Sequence, residues 1–175
     1  LKSIENMVEI YYNSRQFANT MEYLEHEFSS PFHMYQCLGN FYEDKGYHKM
    51  NHSRIASYEI LEEFICRYAG NESLPLYREL LTYDLYLREN IKNRPSFSGE
   101  YTVNKDELYD LYDNILPKNR ELSAYANKNL RKMSHIEKFQ FDVAGDGSRK
   151  ETLLLFDYQK RDPLNRQAYV VRIWR

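Results

Sequence analysis

Four side chains in this sequence invite a metal: Cys37, His48, His52 and Cys66. Residues four apart share one helical face, so His48 and His52 offer the imidazole pair that zinc takes. Two thiolates would complete a tetrahedral set. The spacing argues against it. Zinc sites draw their thiols from closely spaced cysteine pairs, and here the two cysteines sit in separate apolar helical patterns. A thiol in such a setting behaves as a small buried hydrophobe. Gly46 and Asn51 also split the histidines between a loop and a helix start. This reading assigns no metal ligand, no cofactor ligand and no catalytic residue.

Carboxylates are the next chemistry to consider. Glu62 and Glu63, and Asp110 and Asp113, fall where helices face water, so solvated faces explain them better than acid–base catalysis. Gly145-Asp146-Gly147 lies between two strand-like runs, whereas a phosphate loop joins a strand to a helix. No G-x-S-x-G elbow is present. What remains is a set of charges inside apolar or aromatic stretches: Arg54, Asp84, Arg88, Arg94, Asp157 and Arg161. Asp84 and Arg88 are four apart and pair along a helix, worth roughly 0.2–0.5 kcal/mol if exposed. The six are expected to form a structural or interface polar cluster that ties strands to helices. Its functional version is an anion or substrate site built from Arg54, Arg88 and Arg94.

The elements that must position these residues are mostly helical. Residues 4 to 12 read as a first helix. Phe17, Met21, Leu24 and Phe28 make one helical stripe. Ser30 caps and Pro31 opens a helix carrying Met34, Leu38 and Phe41, which ends near Gly46. Asn51 to Ser53 offers the next cap, before a broad apolar face of Ile55, Leu61, Phe64, Ile65 and Tyr68. Ser73 can cap a helix over Leu76 to Ile91, and Leu80 to Pro95 reads as amphipathic helix stopping at the proline. Asn104 and Glu107 have capping-box spacing and open DELYDLYDNI. Pro117 starts a polar helix to about Met133. The period then changes to alternation: Phe139, Phe141 and Val143, then Thr152 to Tyr158, then Tyr169, Val171 and Ile173 up to Trp174. Turn signals at Ala144–Gly147 and Asp162-Pro163 separate them.

The predicted fold is mainly α: a bundle of about six or seven helices over 1–133, with a small three-stranded antiparallel β-meander over 134–175 packed on it. Together they make one α+β structural domain. The chain has 175 residues, enough for a core without staples. It carries 17 Tyr and 9 Phe, which suit half-buried positions between helices or an interface rim. Charge is balanced at 24 basic against 26 acidic residues, so the basic footprint of a nucleic-acid binder is missing. No run is long and apolar enough to span a bilayer, and no membrane partner is expected. Two cysteines make no disulfide framework, and a reduced, cytoplasmic setting is the expectation. The chain opens at Leu1 and is read as a fragment of a longer protein.

Three segments carry a resemblance: HSRIASYEILEEF (His52 to Phe64), LLTYDLYLRENIKNRP (Leu80 to Pro95) and LLLFDYQKRDPLNRQA (Leu153 to Ala168), with YYNSRQFANTMEYLE (Tyr11 to Glu25) upstream. Together they resemble a C-terminal domain of unknown function found in cobalamin-binding-type radical S-adenosylmethionine (radical SAM) proteins. The resemblance implies a parent in which this domain follows a cobalamin-binding domain and a barrel. That barrel holds a 4Fe-4S cluster on three closely spaced cysteines and cleaves S-adenosylmethionine. Cys37 and Cys66 match no such run, so cluster, S-adenosylmethionine and cobalamin are implied for the parent only. No family catalytic residue transfers to this chain. The implied role is a non-catalytic accessory domain that covers the barrel or shapes substrate or partner access, with the barrel of the same chain as its partner. The alternative is a stand-alone interaction module with an aromatic helical groove.

Overall fold

The computed structural model describes residues 2–118 and 130–173, and they form an α+β fold. Its helices are α1 (Lys2–Val8), α2 (Ala18–Glu25), α3 (Pro31–Asp44), α4 (Arg54–Tyr68), α5 (Leu74–Arg88), α6 (Lys105–Asp110) and α7 (Leu130–Met133). Its strands are β1 (Ser134–Phe139), β2 (Thr152–Arg161) and β3 (Ala168–Arg172). Most of the helix expected from Pro117 to Met133 lies outside the described residues, as does Trp174. The chain divides into two compact units, Leu1–Leu85 with Arg94–Ser98, and Tyr86–Asn93 with Gly99–Arg175. The predicted switch from helix to alternating pattern coincides with the passage from α7 into β1. The compact units part elsewhere, within α5 and after Ser98.

In the first unit the local signals act as capping chemistry dictates. The Ser30 side chain accepts from the His33 N–H at 3.1 Å, with Pro31 as first helical residue. The Ser53 hydroxyl accepts from the Ala56 N–H at 3.2 Å and opens α4. Each satisfies one of the free N–H groups of a helix start. Gly46, just past the end of α3, has φ of +73°, a left-handed conformation that glycine adopts without a Cβ penalty. Phe17, Met21 and Leu24, Met34, Leu38 and Phe41 of α3, and Leu61, Phe64 and Ile65 of α4 are all buried in the core. Gly39 lets α1 approach α3: a Cβ there would stand 2.5 Å from Ser3 Oγ.

In the second unit Asn104 Oδ1 accepts from the Glu107 N–H at 2.8 Å, starting α6. That helix passes into a π-helical turn, Leu111–Ile115. The sheet runs β1-β2-β3, antiparallel throughout, with Ser134 opposite Asp157 and Leu155 opposite Val171. Three strands alone are marginal. Leu111, Leu116 and Leu130 cover one face by packing with Ile136, Leu155 and Val171.

Several expectations are corrected. α5 ends at Arg88, well before Pro95, because side chains of β2 satisfy its last carbonyls. It is not amphipathic over its second half, since every residue from Glu79 to Leu87 is buried. β1 stops at Phe139, so Phe141 and Val143 lie in the following turn, where Asp142 O accepts from Gly145 and Gly147. Neither cysteine is fully buried: Cys37 is part-buried and Cys66 exposed.

Candidate functional site

Asp84 is the most heavily bonded carboxylate among the described residues of the first unit. It sits on α5, 2 % exposed. One oxygen accepts from Asn19 N–H at 3.2 Å and Asn19 Nδ2 at 2.7 Å. The other accepts from Thr20 N–H at 2.9 Å and Thr20 Oγ1 at 2.7 Å. Asn19 and Thr20 lie in the first turn of α2, where N–H groups have no intrahelical partner and the helix dipole is positive. A carboxylate from a distant helix therefore replaces a local cap. Burial pushes the Asp84 carboxyl up to about 6 against these four bonds. Asp84 bonds to α2 rather than along its own helix.

A phenol relay lies in the same unit. Tyr11 Oη donates to Ser57 O at 3.2 Å, so Tyr42 Oη, 2.6 Å away, donates to Tyr11. Burial raises the Tyr11 pKa well above its ordinary value. His48 Nδ1 and His52 Nε2 each lie against a backbone carbonyl, Tyr42 O and Tyr47 O. Glu62 and Glu63 are not merely solvated: Arg78 pairs with Glu62 at 2.9 Å, and Lys45 and Tyr47 hold Glu63. Arg54, the first residue of α4, and Arg94 are exposed.

The second unit gathers the other members of the expected cluster around the end of α5. Tyr158 Oη contacts Tyr86 O at 2.7 Å and Glu89 O at 2.9 Å. Arg161 Nη1 donates to Arg88 O at 3.0 Å, and its guanidinium lies 5.2 Å from the Tyr158 ring centroid. Tyr158 and Arg161 thus tie the strand to the helix through side-chain-to-backbone bonds. Asp157 is 0 % exposed and accepts at Oδ1 from Gln159 N–H at 2.9 Å. Its Oδ2 has no hydrogen-bond partner.

Sequence reasoning missed one acid–base pair. His135 Nε2 lies 3.1 Å from Glu137 Oε2, and Thr102 Oγ1 donates to Glu137 Oε1 at 2.9 Å. The His135 ring stacks on Tyr86, 3.9 Å between centroids. Imidazole and carboxylate together make a general acid–base combination. Here Glu137 is buried, while His135 is part-exposed and packs between the rings of Tyr86 and Phe156. The available signal was spacing, because residues two apart on a strand share a face. Asn19, Thr20 and Tyr158 were also missed, since nothing local marks them.

Among the described residues no group of three or more His, Cys, Asp or Glu is placed to hold a metal ion. None of the described helices is long and apolar enough to cross a membrane. The fold is thus an α+β scaffold in which the buried Asp84 carboxylate serves a helix start and the side chains of Tyr158 and Arg161 serve a helix end. The chain belongs to the family described as "Protein of unknown function (DUF4080)", whose model matches residues 1–156. Neither a curated protein nor a solved structure gives a significant match.

Proposed function

We propose that this chain is a non-catalytic accessory domain of a radical SAM/cobalamin-binding-type enzyme, covering the barrel or shaping the access of substrate or partner. The observation that carries the reading is the use made of polar side chains to hold helix ends. The Asp84 carboxylate holds the start of α2, and Tyr158 and Arg161 hold the end of α5. Groups committed to backbone in this way fix a shape rather than meet a substrate. The resemblance of segments 52–64, 80–95 and 153–168 supports the same reading. In the proposal the 4Fe-4S cluster, S-adenosylmethionine and cobalamin belong to the parent, and the partner is the barrel of the same polypeptide. Two free thiols support a reducing, cytoplasmic setting. Balanced charge favours neither nucleic acid nor a membrane as partner.

The test has two arms. The purified chain is expected to be colourless, with no iron and no cobalamin bound after anaerobic reconstitution. In the full-length polypeptide, deleting these residues is expected to keep S-adenosylmethionine cleavage but to abolish substrate turnover. A stoichiometric redox centre on the isolated chain, or unchanged turnover after deletion, refutes the reading.

A further inference from the structure

We infer that the tip of the β2–β3 hairpin is a docking finger whose partner is an acidic protein surface with an apolar socket on the barrel of the same polypeptide; this rests on the accessory-domain reading. β2 is buried over its first seven residues and exposed over its last three, so the strand reaches solvent at its end. The turn beyond it is bonded at nearly every position. Asp162 Oδ1 accepts from the N–H groups of Leu164 and Asn165 at 2.7 and 2.9 Å. Arg166 N–H donates to Asp162 O, and Asp162 N–H donates to Gln167 O, both at 2.9 Å. Gln167 N–H donates to Asn165 Oδ1 at 2.9 Å. Arg161 Nη1 clamps the root, reaching Arg166 O at 2.8 Å and Arg88 O at 3.0 Å.

Arg166 closes the turn at φ of +63°, a left-handed conformation that a side chain adopts at a cost. All of this order presents Leu164 to water, 92 % exposed. A lone exposed leucine is ordinary; one held at the apex of a closely bonded turn is preorganised, and preorganisation lowers the entropy lost on binding. On β3 of the same hairpin Tyr169 is 52 % exposed, with Lys160 Nζ 6.0 Å from its ring centroid. Tyrosine and arginine around an apolar anchor are the composition of an interface hot spot.

Charge selects the partner. Lys160, Arg161 and Arg166 are exposed at the tip, against one acid, Asp162, in a chain of net charge −2. Electrostatic complementarity then calls for an acidic surface. A bilayer fits less well, because one leucine with three cations is a weak anchor and gains nothing from a rigid turn. A nucleic acid would leave Leu164 without a socket.

The experiment uses the full-length polypeptide and zero-length carbodiimide coupling, which joins a lysine amine to a carboxylate. Lys160 is expected to couple to an aspartate or glutamate outside residues 1–175 of the same molecule. Leu164→Glu is expected to lower that product about tenfold while Leu164→Met keeps it, both with unchanged melting temperature. Coupling between two molecules in an isotopically mixed sample overturns the inference. So do equal yields in wild type and Leu164→Glu, or cosedimentation with phosphatidylserine vesicles in place of coupling. Domain deletion separates the two claims. If deletion abolishes substrate turnover while Leu164→Glu leaves turnover and coupling intact, the finger falls and the accessory role stands. If deletion changes nothing, the accessory role falls and the finger with it.

Discussion

Asp84 and Asp157 are both buried aspartates, 2 % and 0 % exposed, yet the fold serves them differently. Asp84 takes four donors, two from backbone and two from side chains. Asp157 takes one, and its second oxygen has none. The reason lies in what each faces. Asp84 meets the first turn of a helix, where backbone N–H groups are free by construction. Asp157 stands within a sheet whose ladder already uses the N–H groups around it. The donor it does reach, Gln159 N–H, lies in the bulged stretch between Asp157 and Arg161 where pairing shifts register. A buried carboxylate is structural to the extent that its neighbours have donors to give.

The largest expected effect breaks this comparison at Asp84. Asp84→Ala leaves four donors unanswered in the core and is expected to cost about 3–4 kcal/mol in urea denaturation. A loss no greater than that of a surface substitution would show that water replaces the carboxylate. The pH dependence comes next. Asp84 holds its proton up to about 6 in the fold, against an ordinary 3.8. The folded state therefore binds that proton more tightly than the unfolded chain. The stabilisation is full below the unfolded value and is lost as pH rises through about 6. The stability gap between wild type and Asp84→Asn is expected to narrow by up to about 3 kcal/mol between roughly pH 4 and pH 7. A gap that widens over this range would mean that the four donors outweigh burial.

Smaller effects sharpen the other side. In the second unit the phenol beside Asp157, not the carboxylate, ties strand to helix. Tyr158→Phe removes its contacts with the carbonyls of Tyr86 and Glu89, and about 1–2 kcal/mol of stability is expected to go with them. Amide exchange should quicken selectively over the last turn of α5. Asp157→Ala is expected to cost about 1 kcal/mol or less, because the lost bond is offset by removing an oxygen that has no partner. If Asp157→Ala were as damaging as Asp84→Ala, the contrast between the two sites would collapse.

Much of the fold was legible because its signals are local. Ser30-Pro31, Ser53 and Asn104 cap helices with their own side chains, and Asp162 builds the turn that Asp162-Pro163 announces. The change of pattern after Met133 signalled three strands, although the run Phe139 to Val143 lay at the end of β1 and in the turn beyond it. The candidate site was much less legible. Residues Arg54, Asp84, Arg88, Arg94, Asp157 and Arg161 stood out as charges in apolar runs, but nothing in the order of residues links Asp84 to Thr20, 64 positions away. The end of α5 was misread for the same reason. Pro95 is a local stop signal, whereas Tyr158 and Arg161 act on carbonyls 69 to 73 positions distant.

By itself, then, the sequence determined the helices, the meander and the turn at Asp162, since caps, glycine conformations and side-chain periods act over a few residues. Tertiary structure decided where α5 ends, which buried aspartate is satisfied, and that His135 and Glu137 face Thr102 and Tyr86. Those outcomes depend on which donors and acceptors arrive from remote parts of the chain. Hydrogen bonds take whatever partner the packing brings within reach, and local order does not encode that.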